Sequence, residues 1–199
     1  MGKIIAIDFD GVISNPYGIK LKILKKMGYD VSMDQITYGG CVKSGIVSEA
    51  DYKYANKMAL NAGPHLVYLE QDFLFYYKKL LKLPYKYFIV SSRNDIDMKV
   101  LQSIIQHYDI KFDGIINTNN KNKYFSLLDI NASILIEDNS FFIEEIINEL
   151  KKNKKNKIKI VYYKNSVNSN EELNSKYIKS LQGWKNVYQY LINSASENE

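Results

Sequence analysis

From Tyr85 onward, short apolar runs alternate with helical segments, and that rhythm restricts the fold of this 199-residue chain more than any other feature. Tyr85–Ser91, Gly114–Thr118, Ser133–Glu137 and Ile158–Tyr163 are short and rich in Ile, Val and Tyr, so they read as strands. Between them, residues 95–108, 123–129 and 141–152 carry helical periodicity, and residues 183–192 close the chain as a helix. Strands separated by helices pair in parallel, because only a crossover returns the chain to the same sheet edge. A further buried strand opens the chain around residues 3–8, with the β-branched run Lys3-Ile4-Ile5-Ala6-Ile7. The expected fold class is α/β, a doubly wound, Rossmann-like parallel sheet of about five strands.

Between the first strand and Tyr85 the pattern is helical. Ile19–Met27 reads as a short amphipathic helix. Ser48-Glu49-Ala50-Asp51 resembles a capping box that opens a helix to about Asn61. Residues 66–82 form another helical pattern, stopped by Pro84. Gly39-Gly40 and Gly63-Pro64 mark turns. Residues 1–14 and 84–199 are therefore expected to form the α/β core, and residues 15–83 a small helical insertion after strand one. The Asn- and Ser-rich stretch Lys164–Ser175 reads as a surface loop.

Composition narrows the classes. Apolar residues at 46% supply a core, and 25% charged residues fit a soluble domain. No run is long enough to span a bilayer, and Asp8 and Asp10 interrupt what would be a signal segment. The lone Cys41 excludes an internal disulfide framework and fits a reducing cytoplasm, the expected location. A net charge of +5 is too mild to imply a nucleic-acid partner. The dense stretch Lys151–Lys157 reads as a solvated helix end.

Ligands of open α/β sheets sit beyond the carboxyl ends of the strands. Asp8 and Asp10 stand there on one face of an extended chain, and Gly11 permits the sharp departure that follows. Two carboxylates so close repel unless a cation or a shared proton compensates. The other strand ends add Ser91, Ser92 and Arg93, then Lys121 and Lys123, then Glu137 and Asp138. Acidic oxygens suit a hard cation such as Mg²⁺, and a hydroxyl and an ammonium suit phosphoryl oxygens, so the set is that of a phosphoryl-transfer site. Simpler roles compete at some positions. Ser92 and Asn94 read better as helix caps than as catalytic groups, and Lys121 as a solvated loop lysine. His65, His107 and Cys41 have no partners at metal-ligand spacing.

Asp8-Phe9-Asp10-Gly11-Val12 resembles the first motif of the haloacid-dehalogenase (HAD) superfamily in its phosphatase form. Ile89-Val90-Ser91-Ser92-Arg93 resembles the second motif, and Ile134-Leu135-Ile136-Glu137-Asp138-Asn139 the acidic fourth. Lys123 lies where the motif-three lysine falls, with Lys121 a competitor. The resemblance implies Asp8 as nucleophile through an aspartyl-phosphate, Asp10 as acid and then base, Ser91 on a phosphoryl oxygen, and Lys123 offsetting charge. It further implies Mg²⁺ on Asp8, the Asp10 carbonyl and Asp138, with Glu137 supporting the metal or orienting the site. Gly11, Asn15, Ser92, Arg93, Lys121 and Glu137 are candidate substrate contacts, joined by Tyr17, Tyr38, Gly39, Gly40 and Lys43 from the insertion.

The insertion matches the position of the C1 cap in that superfamily. Its small helical form, the DGV of the first motif and the terminal Gly183-Trp184-Lys185 helix are similar in layout to the 5'-nucleotidase and deoxyribonucleotidase branch, whose second motif usually has Thr where Ser91 stands. The expected function is Mg²⁺-dependent hydrolysis of a small phosphomonoester such as a nucleoside monophosphate. The alternatives are a phosphotransferase, a mutase or a polynucleotide-end phosphatase on the same core, or a non-catalytic phosphate-binding protein.

Overall fold

The computed structural model describes residues 2–153 and 157–196; Lys154–Asn156 of the basic stretch lie outside the described residues. The core is a sheet of six parallel strands. In chain order its strands are β1 (Lys3–Ile7), β4 (Tyr85–Ser91), β5 (Gly114–Asn117), β6 (Ala132–Glu137), β7 (Lys159–Lys164) and β8 (Ile178–Gln182). Across the sheet the order is β5-β4-β1-β6-β7-β8, which puts β1 in the middle, bonded to β4 on one side and β6 on the other. The short pair β2 (Ser14–Asn15) and β3 (Tyr68–Leu69) is antiparallel and separate from the sheet.

The two faces follow from strand alternation. Ile5, Ile7, Ile89, Ile134, Ile136, Val161 and Tyr163 point to one face, where α3 (Phe73–Leu80), α4 (Asp95–His107) and α7 (Gly183–Ser196) cover them. Ala6, Val90, Leu135, Ile160 and Tyr162 point to the other, under α5 (Lys123–Asp129) and α6 (Ser140–Lys152). Residues buried on both faces explain why these strands read as continuous apolar runs. Trp184, at the start of α7, is buried and donates its indole N–H to the Val12 carbonyl at 2.8 Å, fixing the chain just beyond β1.

The expectation of about five strands is one short. β8 escapes a periodicity reading because Ile178-Lys179-Ser180-Leu181-Gln182 is an edge strand, mostly half-buried or exposed. Residues 66–82 are also not one helix. Tyr68–Leu69 pair with Ser14–Asn15, and Asp72 adopts a left-handed φ of 60°, so α3 starts only at Phe73.

α1 (Tyr17–Lys26) and α2 (Glu49–Leu60) share a smaller apolar cluster with Val31, Ile36, Cys41 and Val47. Ser48 caps α2, accepting from the Asp51 amide at 3.1 Å. α3 packs on the core face of the sheet, since Phe73, Tyr77 and Leu80 join the cluster that holds Trp184. Among the described residues no helix is long and apolar enough to cross a membrane.

Candidate active site

Parallel register aligns the tips of β1, β4 and β6, and the chemically useful side chains follow directly. Asp8 comes one residue after β1, and its amide donates to the Ile136 carbonyl at 2.9 Å, extending the pairing with β6. Glu137 ends β6 and Asp138 follows it. Carboxylate oxygens of Asp8, Glu137 and Asp138 lie within 4.8 Å of one another, all three residues buried.

Lys123, the first residue of α5, is buried to 1% exposure and inserts its ammonium between two of these carboxylates. Its Nζ donates to Asp8 Oδ1 at 2.5 Å and to Glu137 Oε2 at 2.6 Å. The other Glu137 oxygen accepts the amides of Asp138 and Asn139 at 3.1 and 3.0 Å. Glu137 is thus fully engaged in holding Lys123 and the turn after β6. Lys121 is exposed.

Asp10 points elsewhere. Arg93 grips it with two bonds, Nε to Oδ2 at 2.8 Å and Nη2 to Oδ1 at 2.7 Å, and Ser14 Oγ adds a third at 3.1 Å. Arg93 is itself anchored by the Asp97 carbonyl at 3.0 Å. Asn94 caps α4 by accepting the amides of Ile96 and Asp97, as its sequence position suggests. Ser91 is buried at the tip of β4, its hydroxyl accepting the Arg93 amide at 3.3 Å; Ser92 is half-buried.

Asp138 is held by groups from far along the chain. Tyr17 Oη donates to its Oδ2 at 2.6 Å and Asn165 Nδ2 donates to the same oxygen at 2.9 Å. Asn165 also donates to the Gly11 carbonyl at 2.9 Å, and Asn168 donates to the Asp138 carbonyl at 2.8 Å. Residues 165–168 therefore do not form the surface loop expected of Lys164–Ser175; Asn165 and Asn168 are buried against the site, and Val167 is buried in the apolar cluster of α1 and α2. Gly11 closes the contact. Its φ is +84°, and a Cβ there would stand 1.9 Å from Asp138 Oδ2 and 2.7 Å from Tyr17 Oη, so only glycine fits.

The electrostatics follow from crowding acids in a dry place. Burial, then the Glu137 charge, pushes Asp8 up to about 7 against the pull of Lys123. Burial and the Glu137 and Asp8 charges push Asp138 well above its usual range, while burial and the Asp138 charge push Tyr17 up. Among the described residues, Asp8 Oδ2 and Asp138 Oδ1 accept no protein hydrogen bond. Two buried carboxylates with oxygens to spare, too little positive charge and hard donor atoms fit a Mg²⁺ ion.

The chain matches no protein-family model, and no curated protein matches it. In structure it is similar to a predicted phosphatase from Clostridium acetobutylicum, with 13% identity, 97% and 99% of the two chains covered and a TM-score of 0.60. A HAD-superfamily hydrolase from Ehrlichia chaffeensis aligns at 15% identity over 96% and 97% of the chains, TM-score 0.56. A subfamily IA HAD hydrolase from Geobacter sulfurreducens aligns at 14% identity over 95% and 96%, TM-score 0.55. The fold is that of the HAD hydrolases.

On this HAD fold the sequence-derived residues separate into groups. Asp8, Lys123, Glu137 and Asp138 come together at one point, with Asp10 and Arg93 as a second group alongside, which Ser14 joins. From the helical insertion, Tyr17 reaches the carboxylates, and Asn15 Oδ1 accepts the Tyr17 amide at 3.2 Å. Tyr38, Gly39, Gly40 and Lys43 make no bond to the carboxylates; Tyr38 packs edge-on to Tyr52, and Lys43 is exposed. Asn165, Asn168 and Ser14 were not singled out in the sequence. Their signal is weak, because Asn and Ser are common in this chain and their partners lie far away in sequence.

Proposed function

We propose that this protein is a Mg²⁺-dependent phosphomonoester hydrolase that works through a covalent aspartyl-phosphate. The observation that carries the reading is the Asp8 carboxylate at the central strand tip, with Lys123 on one oxygen and the other free of protein partners among the described residues. One Asp8 carboxylate oxygen attacks phosphorus, an O–P bond forms, and the ester P–O bond breaks. Lys123 offsets the charge of nucleophile and phosphoryl group, and Glu137 keeps its ammonium in place. Ser91 is assigned to a phosphoryl oxygen.

Asp10 gives the leaving oxygen a proton and later takes one from the water that hydrolyses the intermediate, releasing phosphate and regenerating Asp8. Both Asp10 oxygens are held by Arg93 in the resting protein, so one contact yields when Asp10 carries that proton. Asp8, Asp138 and the Asp10 carbonyl would hold Mg²⁺, which supplies neutralisation of charge on the transferring group. The helical insertion serves as the cap that shields the site and selects the leaving group. A small phosphorylated metabolite is the substrate class, with nucleoside monophosphates among the candidates suggested by the cap layout.

The test is phosphate release with Mg²⁺ from p-nitrophenyl phosphate and from a panel of nucleoside monophosphates and sugar phosphates. Asp8→Asn is expected to lower kcat by at least about a thousandfold. Turnover that survives this change or metal chelation refutes the mechanism, and transfer to an added alcohol in place of water would favour a phosphotransferase.

A further inference from the structure

Lys20 is a buried cation that the mechanism does not use. It lies in α1 with 4% of its surface exposed, between the rings of Tyr17 and Tyr52, 5.3 and 4.8 Å from their centroids. Its Nζ donates to Tyr52 Oη at 3.1 Å, and among the described residues no carboxylate lies within 4.0 Å of it. Lysine is rarely buried unless an acid pairs with it.

The neighbouring charges are already matched. Lys123 serves Asp8 and Glu137, Arg93 serves Asp10, and Tyr17 and Asn165 serve Asp138. The Tyr17 side chain links Lys20 to that last carboxylate, its ring beside the ammonium and its hydroxyl on Asp138. An ammonium has three donors, and Tyr52, accepting from Lys20, keeps its own hydroxyl proton to give. Burial pushes Lys20 down to about 8, and the buried Cys41 side chain, then the charges of Asp138 and Asp10, counter that shift, so the ammonium is still mostly protonated at neutral pH.

We propose that Lys20, with the Tyr52 hydroxyl, receives a second anionic group on the leaving portion of the substrate, a carboxylate or a second phosphate, and so sets specificity. This rests on the phosphomonoesterase reading. An anion there would complete the ion pair that the fold leaves open, at a point beside the carboxylates but outside their own network.

Matched esters test it with Mg²⁺ present. 3-Phosphoglycerate and glycerol 3-phosphate differ only in a carboxylate against a hydroxymethyl group; glucose 1,6-bisphosphate and glucose 6-phosphate differ in a second phosphate. The wild type is expected to prefer the anionic member of one pair through a lower KM, and the pair identifies the anion. Lys20→Met should reduce that preference by about 10- to 100-fold, Lys20→Arg should retain part of it, and Tyr52→Phe should weaken it. Comparing two substrates on one variant separates specificity from a general loss of folded protein. Turnover without preference in either pair, or a preference that persists in Lys20→Met, overturns this inference and leaves the hydrolase reading standing. No turnover on any of these esters or on p-nitrophenyl phosphate removes both.

Discussion

Glu70 follows β3 and carries a measurable cost. Its residue is 8% exposed, its Oε2 accepts a long bond of 3.4 Å from Tyr163 Oη, and its Oε1 meets no partner among the described residues. Burial pushes it from 4.5 up to about 7, against the opposing pull of the Tyr163 and Asn15 side chains. The folded protein therefore binds this proton more tightly than the unfolded chain. Its contribution to stability is complete below pH 4.5 and is lost as pH rises through about 7. At ~1.4 kcal/mol per unit, the gap corresponds to ~3 kcal/mol above pH 8.

Glu70→Gln removes the ionisation while keeping the shape. Urea unfolding followed by far-UV circular dichroism, with EDTA present so that the carboxylate cluster behaves alike in both proteins, should show little difference at pH 5. At pH 8.5 the variant should be more stable by about 2–3 kcal/mol, or ~5–10 °C in Tm for a chain of this size. Parallel pH profiles for the two proteins would refute the reasoning.

Two further outcomes follow from the site. Because Asp8 is pushed up to about 7, Mg²⁺ must displace a proton at lower pH; at fixed Mg²⁺ the rise in Tm should be larger at pH 8 than at pH 6, and equal shifts would count against Asp8 as a ligand. Gly11→Ala places a methyl 1.9 Å from Asp138 Oδ2 at a φ of +84°, so turnover should be lost and the fold destabilised by about 1–3 kcal/mol; a melt and activity like the wild type's would argue against the tight Gly11–Asp138 approach.

The sheet was largely legible because its central strands bury both faces, and a doubly buried strand announces itself by composition alone. β8 lies at the edge and has no such constraint, while β3 forms only because Ser14–Asn15 come beside it. At the site, Asp8, Asp10, Glu137 and Asp138 were visible because carboxylates at strand tips are costly and so informative. The sequence left Lys121 and Lys123 open; burial distinguishes them, with Lys123 enclosed and Lys121 in solvent. Asn165 and Asn168 were not legible, since an amide side chain gains meaning only from partners at Gly11 and Asp138. Tyr17, a candidate substrate contact by sequence, holds a carboxylate of the site through its hydroxyl.

The position of β1 also bears on how the molecule is made. Lys3–Ile7 is synthesised well before either of its neighbours, which begin at Tyr85 and Ala132. During synthesis this apolar strand has both edges unsatisfied until much of the chain has emerged, and such edges are what aggregation and chaperones act on. Closing those long loops is slow as well. The residue proposed to attack phosphorus thus sits on a segment made well before its partners and is fixed only when β6 docks, so a nascent chain that stops short of Ala132–Glu137 has Asp8 and Asp10 but not the assembled candidate site.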